Sequence, residues 1–298
     1  MTDLANPMSD AALDVLRGAI GRTEESRDIV SPSLVDRFRA TLGYASQQGT
    51  DAPLGIHWCL SPPAVAPEGI DIDGHPKRGG FIPPIALPRR MWAGGAITFI
   101  APIQVGDTVI RRSRIADIAG KTGRSGQLVF VTVEHELSGA AGPLLHERQD
   151  IVYREASRSA PGPEAIATLS PMPAAEHARE MAADEVLLFR YSALTFNAHR
   201  IHYDLPYAVQ EEGYPGLVVH GPLLATLLLN HAAEVAGRPP VEFTYRGIRP
   251  LIAGASFSIN ANASNGLDLW AADAAGVKVF AAAATIDGSN NETSFHYI

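Results

Sequence analysis

The stretch TFNAHRIHYD, residues 195–204, gathers side chains that can carry out chemistry. His199 and His202 are three residues apart, the spacing of two metal ligands on one helical turn, and Asp204 would add a carboxylate. No His-Glu-x-x-His motif or Cys/His cluster supplies the remaining ligands, so we expect no metal and no other cofactor. A histidine titrates near pH ~6.5 and transfers protons at neutral pH. The stretch therefore favours acid–base chemistry, with a metal site as the alternative.

A second chemical feature lies at the start of an apolar helix, in the segment GYPGLVVHGPLLATLLL at 213–229. His220, Gly221 and Pro222 stand where this helix begins, since proline is favoured in a first helical turn. The first backbone N–H groups of a helix have no partner within it and lie at its positive end, so they can stabilise an oxyanion. The N–H of Gly221 is our candidate donor. The alternative is that the glycines only shape a tight loop.

The elements that position these groups are predicted from caps and periodicity. Ser31 as N-cap, Pro32 in the first turn and Gly43 as stop predict a helix over 31–43. The segment 221–237 is apolar on almost every face, so this helix should be buried. The alternation LVFVTVEHEL at 128–137 predicts a strand, which forms an antiparallel hairpin with a strand at 147–155.

The chain divides into two related halves. Residues 156–178 are rich in Ala, Pro and Ser and predict a linker between an N-terminal half, 1–155, and a C-terminal half, 179–298. The segment PIQVG at 102–106 lines up with PLIAG at 250–254, as a tandem duplication would give. A buried helix followed by antiparallel strands that wrap it, occurring twice, predicts an α+β double hotdog fold.

Composition excludes several classes of protein. The net charge of −8 comes from 32 acidic and 24 basic residues, and without a basic run we expect no nucleic-acid partner. The only cysteine, Cys59, cannot form an intrachain disulfide, and we expect it to be a small buried side chain. The longest apolar run, 223–229, is far shorter than the ~20 residues of a membrane span. Together with the lack of a secretory signal, this predicts a cytoplasmic protein with no membrane partner.

The segments YSALTFNAHRIHYD (191–204) and GLVVHGPLLATLL (216–228) resemble the MaoC-like (R)-specific enoyl-CoA hydratases and 3-hydroxyacyl-thioester dehydratases. The positions that match are Tyr191, Leu194, Ile201, His202, Asp204 and the pair His220-Gly221. The resemblance implies His202 as the catalytic histidine and the Gly221 amide as the donor to a thioester carbonyl. Asn197 stands where the family has its catalytic aspartate. We expect Asn197 to orient water while His202 moves the proton, with Asp204 as an alternative carboxylate.

Further segments narrow the resemblance to mesaconyl-C4-CoA (3-methylfumaryl-CoA) hydratases, itaconyl-CoA hydratases and mitochondrial-type 3-hydroxyacyl-thioester dehydratases. They are LPRRMWAGGAITF (87–99), RRSRI (111–115), GRSGQLVFVTVEHE (123–136) and QDIVYRE (149–155), and the similarity covers most of residues 20–285. It implies a non-catalytic N-terminal half that shapes a tunnel. Trp58, Trp92 and Phe81 are candidates to line this tunnel, and the alternative is that they are ordinary core aromatics. The expected reaction is reversible hydration of a small branched C5 dicarboxyl thioester, mesaconyl-C4-CoA or itaconyl-CoA, to citramalyl-CoA. The alternatives are a 3-hydroxyacyl-thioester dehydratase of fatty-acid metabolism and a non-catalytic acyl-CoA-binding protein.

The substrates of this branch also predict binding residues. They end in a free carboxylate, which a guanidinium can bind bidentately, so Arg200 or Arg190 is predicted to hold it. The alternative for Arg200 is an ion pair with Asp204. Arg246 is a candidate for the CoA phosphates at the tunnel mouth, and His220 is expected to contact substrate. The partner is therefore an acyl-CoA thioester, and we expect a homodimer.

Overall fold

The computed structural model describes residues 9–44, 50–123, 126–155 and 170–286. The strands are β1 Thr23–Ile29, β2 Arg89–Phe99, β3 Thr108–Gly123, β4 Gly126–Gly139, β5 Gly142–Arg154, β6 His177–Ala182, β7 Glu242–Gly247, β8 Ser256–Ser264, β9 Gly266–Asp273 and β10 Lys278–Thr285. The helices are α1 Asp10–Arg17, α2 Pro32–Leu42, α3 Glu185–Thr195, α4 Leu205–Gln210 and α5 Gly221–Ala236. Short 3₁₀ turns lie at Ile56–Cys59, Pro67–Gly69 and Arg200–His202.

The strands form one ten-stranded antiparallel sheet in the order β1-β3-β4-β5-β2-β7-β10-β9-β8-β6. Each half therefore contributes five strands in the same internal order, and the two halves meet where β2 pairs with β7. That junction runs from Gly94 opposite Arg246 to Thr98 opposite Glu242. Strand β6 begins at His177, just inside the predicted linker, of which residues 156–169 lie outside the described part of the chain.

Equivalent backbone hydrogen bonds occur in both halves, around the two Pro-x-x-x-Gly segments. In the first half, the N–H of Gly106 donates to the carbonyl of Val30, just after β1, at 2.8 Å. In the second half, the N–H of Gly254 donates to the carbonyl of Ala183, just after β6, at 2.9 Å. Both glycines have a positive φ. Ala52 and Val219 donate in the same way to Ile103 and Leu251, both at 2.8 Å. This recurrence is the expected structural result of a tandem duplication.

Both predicted helices are confirmed. Ser31 accepts from the N–H of Leu34 at the start of α2, and Gly43 ends it at φ 72°. Helix α5 is buried along most of its length and ends at Gly237, also in the left-handed conformation. The apolar side chains on its whole circumference thus pack inside the protein, as helices of this composition require.

The expectation of a buried helix in each half is wrong for the first half. Helix α2 follows the first strand and so corresponds to α3, and both are 11 residues long. The position of α5 is taken by the turn Ile56–Cys59 and a long connection to β2 at Arg89. Eight prolines between Pro53 and Pro88 explain the difference, since each one lacks an N–H and obstructs a helix interior.

Two apolar cores stabilise the sheet. The larger surrounds α5 and draws on both halves. The smaller lies between α1 and the long strands of the first half, where Val129, Val131 and Val133 are buried as the alternation predicts. The predicted hairpin is β4–β5, closed at Gly139 and Gly142. Among the described residues, no helix is long and apolar enough to cross a membrane.

Candidate active site

The motif at 195–204 forms a sharp connection between α3 and α4. Helix α3 ends at Phe196 in the left-handed conformation, φ 50°, and Asn197 then donates its N–H to the carbonyl of Ser192 at 2.9 Å. The side chain of Asn197 accepts from the N–H of His199 at 3.0 Å. Asp204 caps α4 by accepting from the N–H of Tyr207 at 3.1 Å. Local hydrogen bonds therefore set the path of the motif.

His202 is buried, with 7% of its surface exposed. Its Nδ1 lies 2.7 Å from the carbonyl oxygen of Val218. A carbonyl only accepts, so Nδ1 carries the proton and Nε2 keeps its lone pair. Burial first, and then the neighbouring His220 and His199, hold the pKa of His202 well below its ordinary value. His202 is thus a neutral imidazole with a fixed tautomer, and the lone pair on its Nε2 is able to accept a proton.

His220 lies directly against His202. The two rings stack with centroids 3.6 Å apart at 20°, and Nε2 of His220 lies 2.9 Å from the hydroxyl of Ser192 on α3. Burial, with a smaller effect of His199, lowers the pKa of His220 to about 3. His220 is also the N-cap residue of α5. It therefore connects the motif to the start of the buried helix, and Ser192 is a contributor that the sequence did not reveal.

Gly221 begins α5, and its N–H has no acceptor among the described residues. A Cβ at this position would lie 3.3 Å from Cε3 of Trp92, on strand β2 of the other half. The space beside this N–H is therefore tight, and a side chain here would require Trp92 to shift by a few tenths of an ångström. This geometry suits the predicted oxyanion donor.

An aromatic wall adjoins Gly221. Trp92 stacks on Tyr245 with centroids 4.4 Å apart, and Trp58 meets Trp92 edge-on at 5.6 Å. The buried carboxylate of Glu147 accepts from the indole N–H of Trp58 at 2.7 Å and from the hydroxyl of Tyr245 at 3.1 Å, and burial raises its pKa. Trp58 and Trp92 thus lie by the site, whereas Phe81 packs against the smaller core.

Two predicted carboxylate-binding arginines are engaged elsewhere. Arg200 donates to Asp204 from Nε at 3.0 Å and from Nη2 at 2.7 Å, and Nη1 donates to the carbonyl of Ile72 at 3.1 Å. The alternative of a structural ion pair is the one observed, and Asp204 is occupied by it. Arg190 is exposed on α3 and donates to the carbonyl of Ala40 on α2 at 3.5 Å. The guanidinium of Arg200 is therefore occupied, which corrects the prediction for Arg200, whereas the substrate role of Arg190 stays a prediction.

Other predicted residues lie outside the histidine cluster. Arg246 is exposed on β7, opposite Gly94 of β2, so nothing places it against His202. Burial raises the pKa of the Cys59 thiol to about 12, so it is an inert packing residue, as expected. A cavity of about 800 Å³ includes Asn230, Glu234 and Arg238 at the C-terminal end of α5, opposite the end that carries Gly221.

Sequence reasoning missed a loop of the first half that reaches the motif. Asp73 and His75 lie beside His199, with His75 and His199 ring centroids 4.2 Å apart. Ligand atoms of these three residues lie within 4.8 Å of one another, so together they are able to hold a divalent ion. Both carboxylate oxygens of Asp73 already bind His75, at its N–H (2.9 Å) and at Nδ1 (3.0 Å). The string DIDGHP at 71–76 was the available signal.

Comparisons with known proteins point in the same direction as the geometry. A family model described as hydroxyacyl-thioester dehydratase type 2 matches residues 55–253, about two thirds of the chain. A mesaconyl-C(4)-CoA hydratase of Chloroflexus aurantiacus is 44% identical over 273 residues, which cover 90% of this chain and 97% of that protein. A mitochondrial hydroxyacyl-thioester dehydratase type 2 of Schizosaccharomyces pombe is 24% identical over 70% of this chain and 79% of that protein.

Solved structures show the fold. HtdX of Mycobacterium tuberculosis matches with a TM-score of 0.65 at 21% identity, covering 89% of this chain and 100% of that one. Another protein of that organism, described as a double hotdog fold, matches with a TM-score of 0.55 at 13% identity, covering 91% of this chain and 96% of that one. The predicted α+β double hotdog fold is therefore confirmed.

Proposed function

Because the chain belongs to the hydroxyacyl-thioester dehydratase type 2 family, a family of hydro-lyases, we propose that it reversibly hydrates a small branched C5 dicarboxyl-CoA thioester. Mesaconyl-C4-CoA is the preferred substrate in this proposal, since the relative at 44% identity is named for it. The observation that carries the proposal is that His202, with the lone pair of its Nε2, stacks on His220, the residue before Gly221. The N–H of Gly221 has no acceptor among the described residues.

In the hydration direction, Nε2 of His202 removes a proton from water as its oxygen bonds to the β-carbon. The electrons of the double bond move to the thioester oxygen, where the N–H of Gly221 donates to the developing charge. The imidazolium of His202 then returns the proton to the α-carbon and the thioester carbonyl re-forms. One histidine therefore serves as base and then as acid, and the products contain every atom of substrate and water.

The role proposed for Asn197 changes with its contacts. Its amide oxygen accepts from the N–H of His199, so the side chain shapes the motif loop. Only its amide N–H₂ is left to contact water, and it carries no negative charge. Asn197 is therefore a positioning residue in this proposal, and proton transfer belongs to His202.

Arg90 is the arginine that we propose for the distal carboxylate of the substrate. It lies two residues before Trp92 on β2, so the two side chains share one face of the strand. It is half-buried, and among the described residues no carboxylate forms an ion pair with it. Burial lowers the pKa of His75 to about 4, and the charge of Arg90 is one of the smaller causes. Arg90 is therefore a cation near the histidines that is free to bind an anion.

The proposed function is tested with mesaconyl-C4-CoA, itaconyl-CoA and crotonyl-CoA, by following the loss of enoyl-thioester absorbance and the release of free CoA. We expect hydration without CoA release, fastest with mesaconyl-C4-CoA. A preference for crotonyl-CoA would favour the 3-hydroxyacyl-thioester dehydratase instead, the activity named for the yeast relative. Binding without turnover of any of the three would leave only the non-catalytic acyl-CoA-binding protein.

The arginine assignment is tested separately. Arg90→Ala should lower kcat/KM for mesaconyl-C4-CoA about 10- to 100-fold, the effect of losing a charged hydrogen bond, and leave crotonyl-CoA nearly unchanged. Arg200→Ala is the matched control and should affect both substrates alike. An equal loss on both substrates in Arg90→Ala would instead assign this arginine to a CoA phosphate. A cytoplasmic location and a homodimer remain predictions from the sequence.

A further inference from the structure

A loop of the first half, residues 70–76, docks on the catalytic motif of the second half, and we refer to it as the cross-half loop. It is closed by a bridge between Ile70 and Pro76 and by the N–H of Asp71 donating to the carbonyl of His75 at 2.7 Å. The carbonyl of Asp73 accepts from the N–H of Arg200 at 2.9 Å. The loop is thus tied by main-chain contacts to the segment that carries His202.

Gly74 makes this docking close. Its φ is +91°, and a Cβ there would lie 1.8 Å from the carbonyl oxygen of Ala198. No side chain fits in that space, because real Cβ contacts do not fall below ~3 Å. The backbone of the cross-half loop therefore meets the motif loop at a place where only glycine is accommodated.

The docking brings a hydrogen-bonded carboxylate–imidazole pair to the histidines. Nδ1 of His75 lies 3.0 Å from Oδ2 of Asp73, and their side chains are 20% and 15% exposed. Burial alone would raise the pKa of Asp73, but the two hydrogen bonds from His75 hold it well below its ordinary value. Asp73 is therefore a carboxylate anion, and His75 donates to it from Nδ1.

The pair stands at one end of a row of imidazoles. The ring centroids of His75 and His199 are 4.2 Å apart, those of His199 and His202 are 5.4 Å apart, and those of His202 and His220 are 3.6 Å apart. The other charged groups that face this row are Glu212, Arg89 and Arg90. Glu212 is 3.8 Å from Nε2 of His199, but Arg89 neutralises it with an ion pair of 2.6 Å. Within the described residues, Asp73 is the anion of the row that no guanidinium neutralises.

The second-half motif has no such anion of its own. Asn197 is uncharged, and Asp204 is paired with Arg200. His202 nevertheless becomes an imidazolium when it takes the proton of water, among other imidazoles that oppose a positive charge. A carboxylate favours the charged form of such a group, with an effect that weakens with distance. Asp73 acts on His202 across His75 and His199, whose ring centroids are 4.2 Å apart, with that of His202 another 5.4 Å from His199.

We propose that Asp73 and His75 are positioning residues of the catalytic site, through which the first half supplies the negative charge that Asn197 cannot. This rests on the proposed function, because it assigns the imidazolium of His202 to the hydration step. No proton leaves Asp73 or His75 in this step. The pair holds His199 in place and stabilises the positive charge while the proton resides on His202.

Asp73→Asn tests the charge while it preserves the size of the side chain and an acceptor oxygen. We expect kcat for mesaconyl-C4-CoA to fall about 10-fold with KM nearly unchanged. The acid limb of the kcat–pH profile should move to lower pH, because without the anion His202 is protonated only at lower pH. Asp71→Asn is the matched control, since Asp71 lies on the same loop and its side chain accepts only from the N–H of Ile72. Asp73→Glu should restore part of the lost kcat.

A second readout does not depend on turnover. An NMR titration of the histidine rings should show the pKa of His202 lower in Asp73→Asn than in the wild type, and unchanged in Asp71→Asn. If wild type hydrates none of the thioesters, the proposed function fails while this titration still decides whether Asp73 acts on His202. Wild-type kcat, an unmoved acid limb or an unmoved His202 titration in Asp73→Asn would overturn the inference. Stoichiometric bound metal, with activity lost to a chelator and restored by zinc, would also overturn it, because the pair would then be metal ligands.

Discussion

The two halves share one strand order and differ in what connects their first and second strands. In the second half, residues after Val219 enter α5, whose first N–H has no acceptor in the described part of the chain. In the first half, residues after the equivalent Ala52 enter a single turn at Ile56–Cys59 and then a proline-rich connection. Within the described residues, the second half therefore has a helix N-terminus at this position, to which we assign the oxyanion donor, and the first half has none. The first-half connection is long enough to reach the second half and contact the motif.

The halves also differ in how they use buried histidines. In the first half His57 lies 3.6 Å from the carboxylate of Glu147, and His135 bonds Ser113 at 2.9 Å. Burial lowers their pKa values to about 3 and about 4, much as it does for His220. Burial and a lowered pKa therefore do not make a catalyst. What distinguishes His202 is its place next to the start of α5.

The largest effect should come from removing the histidine at that place. His202→Ala should lower kcat about 10²- to 10⁴-fold, the usual contribution of a general acid–base group, while the protein stays folded. His135→Ala, a buried histidine of the first half, should leave kcat nearly unchanged. Both are measured by hydration of mesaconyl-C4-CoA alongside thermal unfolding. Full activity in His202→Ala would end the proposed mechanism.

The helix N-terminus is tested by changing the Gly221 N–H itself. Gly221→Pro removes it, and His220 at φ −61° and ψ 132° already has a conformation that proline tolerates after it. The control is Gly221→Ala, which keeps the N–H and adds the same Cβ beside Trp92. The kcat of Gly221→Pro should be about 10²- to 10³-fold lower than that of Gly221→Ala. Steady-state kinetics of the two variants give this ratio. Equal kcat values would show that the loop shape, and not the donor, matters.

Undocking the cross-half loop should have a smaller effect. Gly74→Ala places a Cβ against Ala198 and should lower kcat at least about 10-fold more than Gly79→Ala. Gly79 also has a positive φ, +101°, but the closest atom to its Cβ position is 3.8 Å away, so it controls for backbone strain alone. Kinetics and thermal unfolding of both variants separate the two causes. Similar losses in both would argue that the docking is not needed for turnover.

Buried histidines of both halves should make the free energy of unfolding fall at acidic pH. His57 and His220 have pKa values lowered to about 3, and His75 and His135 to about 4, against an unfolded value near ~6.5. Below pH 6.5 the unfolded chain takes up protons that the folded protein excludes, so stability falls as the pH falls towards 4. From pH 6.5 to 5.5 the four histidines together should reduce the free energy of unfolding by about 4 kcal/mol.

Urea denaturation over this pH range checks the prediction and sharpens the comparison. His135→Asn and His220→Asn should each remove about 1 kcal/mol of the pH dependence, since each removes one titrating group. Only His220→Asn should also reduce turnover, because His220 alone of the two packs on His202. A free energy of unfolding that is independent of pH between 6.5 and 5.5 would contradict the neutral, buried histidines.

Local patterns in the sequence were enough for much of the fold. The caps of α2, the burial of α5, the β4–β5 hairpin and the two Pro-x-x-x-Gly segments each depend on residues close in the chain. The start of a helix also selected Gly221 as a candidate, whereas the family resemblance selected His202, and the catalytic roles of both stay predictions. Backbone capping and hydrophobic periodicity act over a few residues, so they can be read without knowing the tertiary structure.

Only the tertiary structure decided how the halves meet at the site. Asp73 and His75 are more than 120 residues from His199, and Trp92 is as far from Gly221, so no local pattern connects them. The sequence suggested Arg200 as a substrate ligand, but its contacts with Asp204 and with Ile72 of the other half occupy it. Packing and charge pairing between distant segments determine which polar groups remain free. For this protein, that is what separates the residues that shape the site from those that are left to act in it.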